Sequence, residues 1–140
     1  MTDTTSTYSG FRGLANVSFF ADDLDAARTW YTELFGIEPD FAREGYIEFR
    51  IGDHLDELGI IDRRYVPNGG GPSGAVVSWH VDDLAGTLER LLALGATEHD
   101  GIRERGEGFT TASVVDPFGN LLGIMNNPHW LEITGTLGQR

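Results

Sequence analysis

The sequence predicts an α+β fold made of two βαβββ modules in tandem. The first observation is an internal repeat, because residues 16–39 and 76–98 each contain a strand-like run, a pair of aspartates and an apolar-striped helix. The second is that both helices precede short segments of alternating hydrophobicity, separated by glycine-containing turns, as antiparallel hairpins require. A chain of 140 residues, 40% of them hydrophobic, is sufficient to bury one shared core.

The first module is predicted to span residues 13–62. Alternation from Leu14 to Ala21 indicates a strand, after which Asp22 or Asp23 caps a helix that ends at Gly36. The segments DFAR, YIEFRI and DELGII follow as three further strands. The apolar stripe of the helix consists of Leu24, Ala27, Tyr31, Leu34 and Phe35.

The second module is predicted to span residues 75–126 and repeats this plan. Its first strand runs from Ala75 to Val81, Asp82 or Asp83 caps the helix, and Gly95 ends it. The strands TEHDGIRE, FTTASVV and LLGIM follow, the last two joined by the turn DPFGN, in which proline and glycine favour chain reversal. The helix stripe consists of Leu84, Leu88, Leu91 and Leu92.

Three segments fall outside the modules. Residues 63–74 contain PNGGGPSG, which is too rich in glycine and proline for a helix or strand and predicts a flexible linker. Residues 1–12 are expected to be a flexible N-terminus. Residues 127–140 lack sustained periodicity, so we expect an irregular tail that packs through Trp130 and Leu131 and then frays.

Composition excludes several classes of function. Ten basic against 22 acidic residues give a net charge of −12, which repels phosphate backbones and argues against nucleic-acid partners. The absence of cysteine excludes disulfides, thiolate nucleophiles and cysteine-bound metals. Since no signal-peptide pattern or membrane-spanning run is found, we expect a cytoplasmic protein without a membrane partner.

Two stretches carry a resemblance to a known family. ADDLDAARTWYTELFG in the first module and VVDPFGNLLGIM in the second occur in the order and spacing typical of the glyoxalase, bleomycin-resistance and dioxygenase superfamily, also called the vicinal-oxygen-chelate superfamily. The chain resembles that superfamily from about Gly13 to Asn126. The resemblance implies two curved, antiparallel-rich sheets with helices on their convex sides, a ligand cavity on the concave sides, and a homodimer.

Metal-dependent relatives place a His or Gln near the start of each module's first strand and a Glu in each module's last strand. Carried over, these positions fall on Asn16, Val76, Gly59 and Gly123. One amide, one isopropyl group and two hydrogens do not make a ligand set for a divalent ion. We therefore expect no metal and no other cofactor, disfavour metal-dependent glyoxalase or dioxygenase chemistry, and expect the two glycines to leave volume for an organic ligand.

Alternation along the strands predicts which side chains face the concave side. Val17, Phe19, Val77 and Trp79 are large and apolar, so they are expected to pack beneath the helices, and their neighbours face the cavity. The mixture of apolar and polar groups on that face is typical of a small-molecule site. The predicted ligand-binding residues are Asn16, Ser18, Phe20, Tyr46, Arg50, Gly59, Val76, Ser78, Gly123 and Met125.

His80, Glu48 and Glu57 lie on the same predicted face and are the candidate catalytic residues. A histidine with an unperturbed pKa of about 6.5 exchanges a proton at neutral pH, and either glutamate would orient it for proton abstraction next to a carbonyl. The competing interpretation makes His80 a structural hydrogen-bonding partner of Asp82 or Asp83. The sequence leaves both interpretations open.

Other polar and aromatic residues are equally ambiguous. Arg50 either pairs with Glu48, two residues away on the same strand face, or binds a ligand carboxylate. His54 and His99 are expected to be exposed, beside a turn and in a loop-like stretch. Trp130 is expected to pack against the rest of the protein or to close the mouth of the cavity.

The leading functional hypothesis is a non-catalytic protein that binds a small organic molecule, such as a natural product or an antibiotic. The alternative is a cofactor-free isomerase, cyclase or lyase that uses His80 and a glutamate for proton transfer. A third hypothesis is a family member whose ligand site has decayed. The fold alone does not distinguish them, because one fold hosts many functions.

Overall fold

A computed structural model describes residues 14–65 and 75–138. The predicted N-terminal segment, most of the predicted linker and the last two residues lie outside the described residues. The elements are β1 (Val17–Ala21), α1 (Leu24–Phe35), β2 (Phe41–Arg43), β3 (Tyr46–Ile51), β4 (Asp56–Asp62), β5 (Val77–His80), α2 (Leu84–Ala93), β6 (Thr97–Gly106), β7 (Phe109–Val115), β8 (Leu121–Asn126) and α3 (Pro128–Gly138).

The strands form two four-stranded sheets with the same topology. Their orders are β1-β4-β3-β2 and β5-β8-β7-β6, and in each sheet the first strand pairs in parallel with the last strand of its module. Ser18 pairs with Gly59 in the first sheet, and Ser78 pairs with Gly123 in the second, so these positions are structurally equivalent. The predicted α+β fold of two βαβββ modules is confirmed.

The helices begin and end where the sequence predicts. Asp23 and Asp83 are the N-caps, and their carboxylates accept hydrogen bonds from Ala26 N and Gly86 N, both at 3.0 Å. Gly36 ends α1 in the left-handed conformation with φ of 72°, which a side chain would disfavour. The predicted stripe of α2 is wrong at Leu92, which is 38% exposed because it lies beside the buried face rather than on it.

One core is shared by both modules. The apolar faces of both sheets and both helices meet in a single cluster that includes Phe19, Phe49 and Val114. At the junction, Trp30 Nε1 donates to the carbonyl of Leu94 at 2.7 Å. The two modules therefore pack against each other within one chain, with the predicted ligand-facing sides of the sheets turned away from this core.

A buried polar group ties the modules together. The Tyr31 hydroxyl donates to the buried carboxylate of Asp116, and burial, together with that carboxylate, raises the pKa of Tyr31 well above its usual value. Asn120, which donates to the same carboxylate, also bonds the backbone N–H and C=O of Phe20 at 2.9 and 2.8 Å. The DPFGN turn of the second module is thus hydrogen-bonded to α1 and β1 of the first module.

Two segments predicted to be irregular are ordered. Pro128–Gly138 form a helix instead of a fraying tail: Asn127 Oδ1 accepts from Trp130 N at 3.0 Å, and proline suits the first helical turn. Leu131 does not pack as expected, because it is 45% exposed. The first residues of the predicted linker form a short 3₁₀ helix, Arg63–Tyr65, in which Arg63 donates to the Phe118 carbonyl at 2.6 Å. Among the described residues, no helix is long and apolar enough to span a membrane.

Candidate functional site

The inner face of the first sheet is a polar network. Asn16 Nδ2 donates to Glu57 Oε1 at 3.2 Å, and Ser18 Oγ donates to Asn16 Oδ1 at 3.1 Å. On β3, which neighbours the strand of Glu57, Tyr46 Oη donates to Glu48 Oε1 at 2.7 Å. These predicted site residues lie on the face opposite the core, as alternation requires, and they bond mainly to one another.

Glu48 is the buried acid of this network. Its residue is only 8% exposed, and Arg50 Nη2 lies 2.9 Å from its Oε2. The Tyr46 hydroxyl and then the Arg50 guanidinium hold the pKa of Glu48 below its usual value, although burial acts in the opposite direction. Burial and the bond to Glu48 raise the pKa of Tyr46. Of the two interpretations of Arg50, the structure shows the ion pair.

The first module does not contain the volume predicted at Gly59. A Cβ built there would lie 2.6 Å from both Cε1 and Oη of Tyr46, so the tyrosine ring already occupies the space. The register explains this, because Tyr46 is opposite Ile61, one inward position further along, and its ring extends back over Gly59. A shallow groove of about 450 Å³ lies on the far side of Tyr46, beside Arg43 and Tyr65.

The second module has a different arrangement over its glycine. Around Gly123, a Cβ would lie 2.6 Å from Ser78 Oγ and 2.9 Å from both Val76 Cγ1 and the backbone oxygen of Val77. Here too the predicted volume directly over the glycine is absent, because neighbouring atoms fill it. These fillers are small, however, and the space above them is open.

A groove of about 420 Å³ covers this inner face. His99 Nδ1 lies 3.0 Å from the hydroxyl of buried Ser113, and Arg105 Nε donates to Thr111 Oγ1 at 3.0 Å. Asp100 is 3.6 Å from Arg105 Nη2. The described residues that line the groove are Val76, Ser78, His99, Asp100, Arg105, Thr111, Ala112 and Ser113.

Six of these lining residues were not found from the sequence. His99 lies on β6, within the strand predicted from TEHDGIRE, but the pairing of this ten-residue strand with β7 shifts register between Glu98 and Asp100 and again before Arg103. Such bulges change the face to which a side chain points, so alternation does not apply along β6. Strand β7 could have identified part of the lining, because Ser113 pairs with Gly123 and therefore lies on the same face of the sheet.

A smaller groove joins the two inner faces. It has a volume of about 150 Å³, and its lining includes Asn16 and Glu57 from the first module and Ser78 and Trp79 from the second. Ser78 also lines the larger groove. The predicted residues Asn16, Glu57, Val76 and Ser78 are thus brought together, whereas Phe20 is half-buried at the far end of β1, opposite Ile61.

His80 is held by two hydrogen bonds and a ring stack. Its side chain is 5% exposed, and its ring stacks on Trp130 with 4.5 Å between centroids and 10° between planes. The Asn127 backbone N–H donates to Nδ1 at 3.1 Å, so the ring proton is on Nε2 and donates to Asp82 Oδ1, also at 3.1 Å. Of the two interpretations that the sequence leaves open, the structure shows the hydrogen bond to Asp82, and neither Glu48 nor Glu57 is a partner of the ring.

Comparison with known proteins agrees with this architecture. A family model described as the Glyoxalase/Bleomycin resistance protein/Dioxygenase superfamily matches residues 13–124. The chain belongs to this superfamily. No curated protein matches the chain.

Several solved structures of superfamily type share the fold. A glyoxalase-related enzyme from Fulvimarina pelagi has a TM-score of 0.70 and 23% identity, with 84% of this chain and 90% of that chain covered. A lactoylglutathione lyase from Agrobacterium tumefaciens has a TM-score of 0.65 and 22% identity, with 87% of this chain and 98% of that chain covered. A bleomycin resistance determinant encoded on the transposon Tn5 has a TM-score of 0.62 and 23% identity, with 84% of this chain and 99% of that chain covered.

The metal positions of the superfamily are a poor fit in this chain. Asn16 is the one position of the four with a ligating atom, and its amide is bonded to Glu57 and Ser18. Gly59 and Gly123 have no side chain and no room for one. Among the described residues, no group of three or more His, Cys, Asp or Glu side chains is arranged to hold a metal ion.

Proposed function

We propose that this superfamily member binds a small organic molecule on the inner face of its second module, without a divalent metal ion. The observation that carries the proposal is the groove of about 420 Å³ over β5, β6 and β7, lined by hydroxyl, imidazole, guanidinium, carboxylate and apolar groups. Convergent polar groups in a concave surface of this size are typical of small-molecule sites.

The polar groups of the groove are held in place before any ligand arrives. Arg105 is anchored by Thr111 through Nε and lies near Asp100 through Nη2, and His99 is anchored by Ser113 through Nδ1, which leaves Arg105 Nη1 and His99 Nε2 for a ligand. Donors that are already oriented lose less entropy on binding. Val76, which is 49% exposed, supplies apolar contact beside them.

The inner face of the first module supports the choice of the second. Tyr46 covers Gly59, and Glu48 is compensated by Arg50, so a ligand placed there would have to displace bonded side chains. Binding without a metal is supported at the same positions, because Gly59 and Gly123 stand where metal-dependent relatives have a glutamate and provide no carboxylate ligand. Asn16 and Glu57 remain within reach of a ligand in the second module through the small joining groove.

Homodimerisation and a cytoplasmic location belong to the same proposal. The superfamily resemblance implies a homodimer, and β6 is an edge strand whose residues are mostly exposed, as a partner surface requires. Light scattering that gives twice the mass of the chain is the expected result, and a monomer at high protein concentration would refute the dimer.

Thermal-shift screening tests the binding proposal. A metabolite and natural-product library should contain a compound that raises the melting temperature, because a ligand at 100 times its Kd stabilises the folded state by about 2.7 kcal/mol. Arg105→Gln should abolish that shift. Arg28→Gln is the matched control: Arg28 pairs with Glu38 at 3.7 Å and does not line the groove.

Three results would contradict the proposal. Stabilisation by nickel, zinc, manganese or iron at stoichiometric concentration would show a metal site. A compound whose shift is the same in Arg105→Gln would bind elsewhere. Chemical conversion of the compound, abolished by His80→Ala, would establish the cofactor-free enzyme instead of the binding protein.

A further inference from the structure

A second crevice lies between the modules, separate from the inner-face groove except for Ser78. It has a volume of about 300 Å³. One wall comes from the end of α1 and the β3–β4 turn of the first module, and the other from β5, the end of β8, and α3. Helix α3 therefore completes a site that an irregular tail would have left open.

The walls of the crevice are aromatic. Phe35 and Trp79 lie with their ring centroids 6.3 Å apart, and the stacked pair of His80 and Trp130 also lines the crevice. Met125 adds a polarizable thioether. Aromatic faces carry negative quadrupole potential and attract cations within about 6 Å of the ring centroid.

The charge at the crevice has a single sign. Asp53 and Asp56, from the β3–β4 turn, are exposed at its edge, and none of the described lining residues is a lysine or arginine. In the part of the chain that the structure describes, neither carboxylate takes part in an ion pair, in contrast to Glu48. The crevice thus combines aromatic surface with two uncompensated negative charges.

From this combination we infer that the crevice binds an organic ammonium ion, with its charged nitrogen against the aromatic walls and the carboxylates of Asp53 and Asp56. A neutral apolar molecule would gain nothing from the carboxylates, and an anion would be repelled by them. The inference is independent of the inner-face proposal, because Arg105, His99 and Ser113 do not line this crevice.

Titration with choline, followed by NMR of the tryptophan indole N–H groups, tests the inference. Trp79 and Trp130 line the crevice, whereas Trp30 is bonded to Leu94 at the module junction and serves as an internal control. Saturable shifts of Trp79 and Trp130, without a shift of Trp30, are expected. 3,3-Dimethylbutan-1-ol has the shape of choline with carbon in place of the charged nitrogen and should cause no saturable shift.

Charge-neutral variants complete the test. Asp53→Asn and Asp56→Asn should each weaken choline binding about two- to fivefold, the effect of one partly exposed charge. Glu89→Gln removes the same charge from the exposed side of α2 and should leave binding unchanged. Equal shifts with the neutral alcohol, or an unchanged affinity in both aspartate variants, would overturn the crevice site. Backbone amide signals recorded in the same spectra give a third outcome: shifts confined to Thr111 and Ser113 would also overturn it and would support the inner-face groove.

Discussion

Alanine at Gly59 would place a methyl group where the Tyr46 ring now lies. The Cβ would be 2.6 Å from the ring, and because φ at Gly59 is not positive, the backbone itself would accept alanine. Tyr46 is half-buried and is able to rotate outward, but it then loses the 2.7 Å bond to Glu48. The predicted cost of Gly59→Ala is therefore mainly the loss of this hydrogen bond.

The magnitude follows from two opposing effects. A hydrogen bond to a charged group contributes about 1.5–3 kcal/mol, and replacing glycine by alanine within a strand gains about 0.5–1 kcal/mol. Gly59→Ala should thus lower the free energy of unfolding by about 1–2 kcal/mol. In a Tyr46→Ala background the bond is already lost, so the same substitution should stabilise by about 0.5–1 kcal/mol.

Denaturant unfolding of the four proteins measures the coupling between the two positions, expected to be about 1.5–3 kcal/mol. Carbon-detected NMR titration of Glu48 should show a higher pKa in Gly59→Ala, because the Tyr46 donor has left. Gly123→Ala in a Ser78→Ala background is the control. Removing the Ser78 hydroxyl should not make alanine at Gly123 stabilising, since the Val77 backbone oxygen still lies 2.9 Å from the new Cβ. Additive effects of Gly59→Ala and Tyr46→Ala would refute the proposed filling of the site.

Three further predictions concern the junction, α3 and acid stability. Tyr31→Phe should cost about 1.5–3 kcal/mol in denaturant unfolding, because it removes a buried bond to the Asp116 carboxylate; an unchanged midpoint would contradict this. His80→Phe should keep the aromatic stack but speed hydrogen exchange in α3 relative to β7, and equal exchange would exclude a docking role. The pKa of Glu48 is lower in the folded protein than in the unfolded chain, so ionised Glu48 stabilises the fold fully at a pH above its unfolded pKa. This stabilisation is lost as the pH falls through the pKa of the folded state. Arg50→Met should therefore reduce the acid-induced loss of stability, measured by unfolding between pH 7 and pH 3.

The fold was predictable wherever local chemistry repeats. Asp23 and Asp83 both cap helices, and both modules return to the same sheet order, so the internal repeat predicted two modules of one plan, whereas the arrangement of the sheets was implied by the superfamily resemblance. Helix α3 was missed because it lacks an apolar stripe. Its signal was local and short: an asparagine at the cap position, followed by Pro128 at the start of the helix.

The site was predictable only in part, because alternation assigns a face but not the direction of a side chain along it. Tyr46 was placed on the correct face, yet nothing in the period-two pattern shows that its ring turns back over Gly59. On β6 even the face to which a side chain points could not be predicted from the sequence, since two register shifts precede Arg105. Long side chains and bulges both act through neighbouring strands, which are not visible in the local sequence.

The two glycines show that a missing side chain is not the same as an empty site. At Gly59 the filler is a tyrosine bonded to a charged carboxylate, whereas at Gly123 it is a serine hydroxyl and a valine methyl group. A ligand over Gly59 would forfeit the Tyr46 bond, about 1.5–3 kcal/mol, which lowers affinity by about ten- to a hundredfold. A ligand over Gly123 gives up no comparable contact, so two modules of equal topology should bind unequally, with the second favoured.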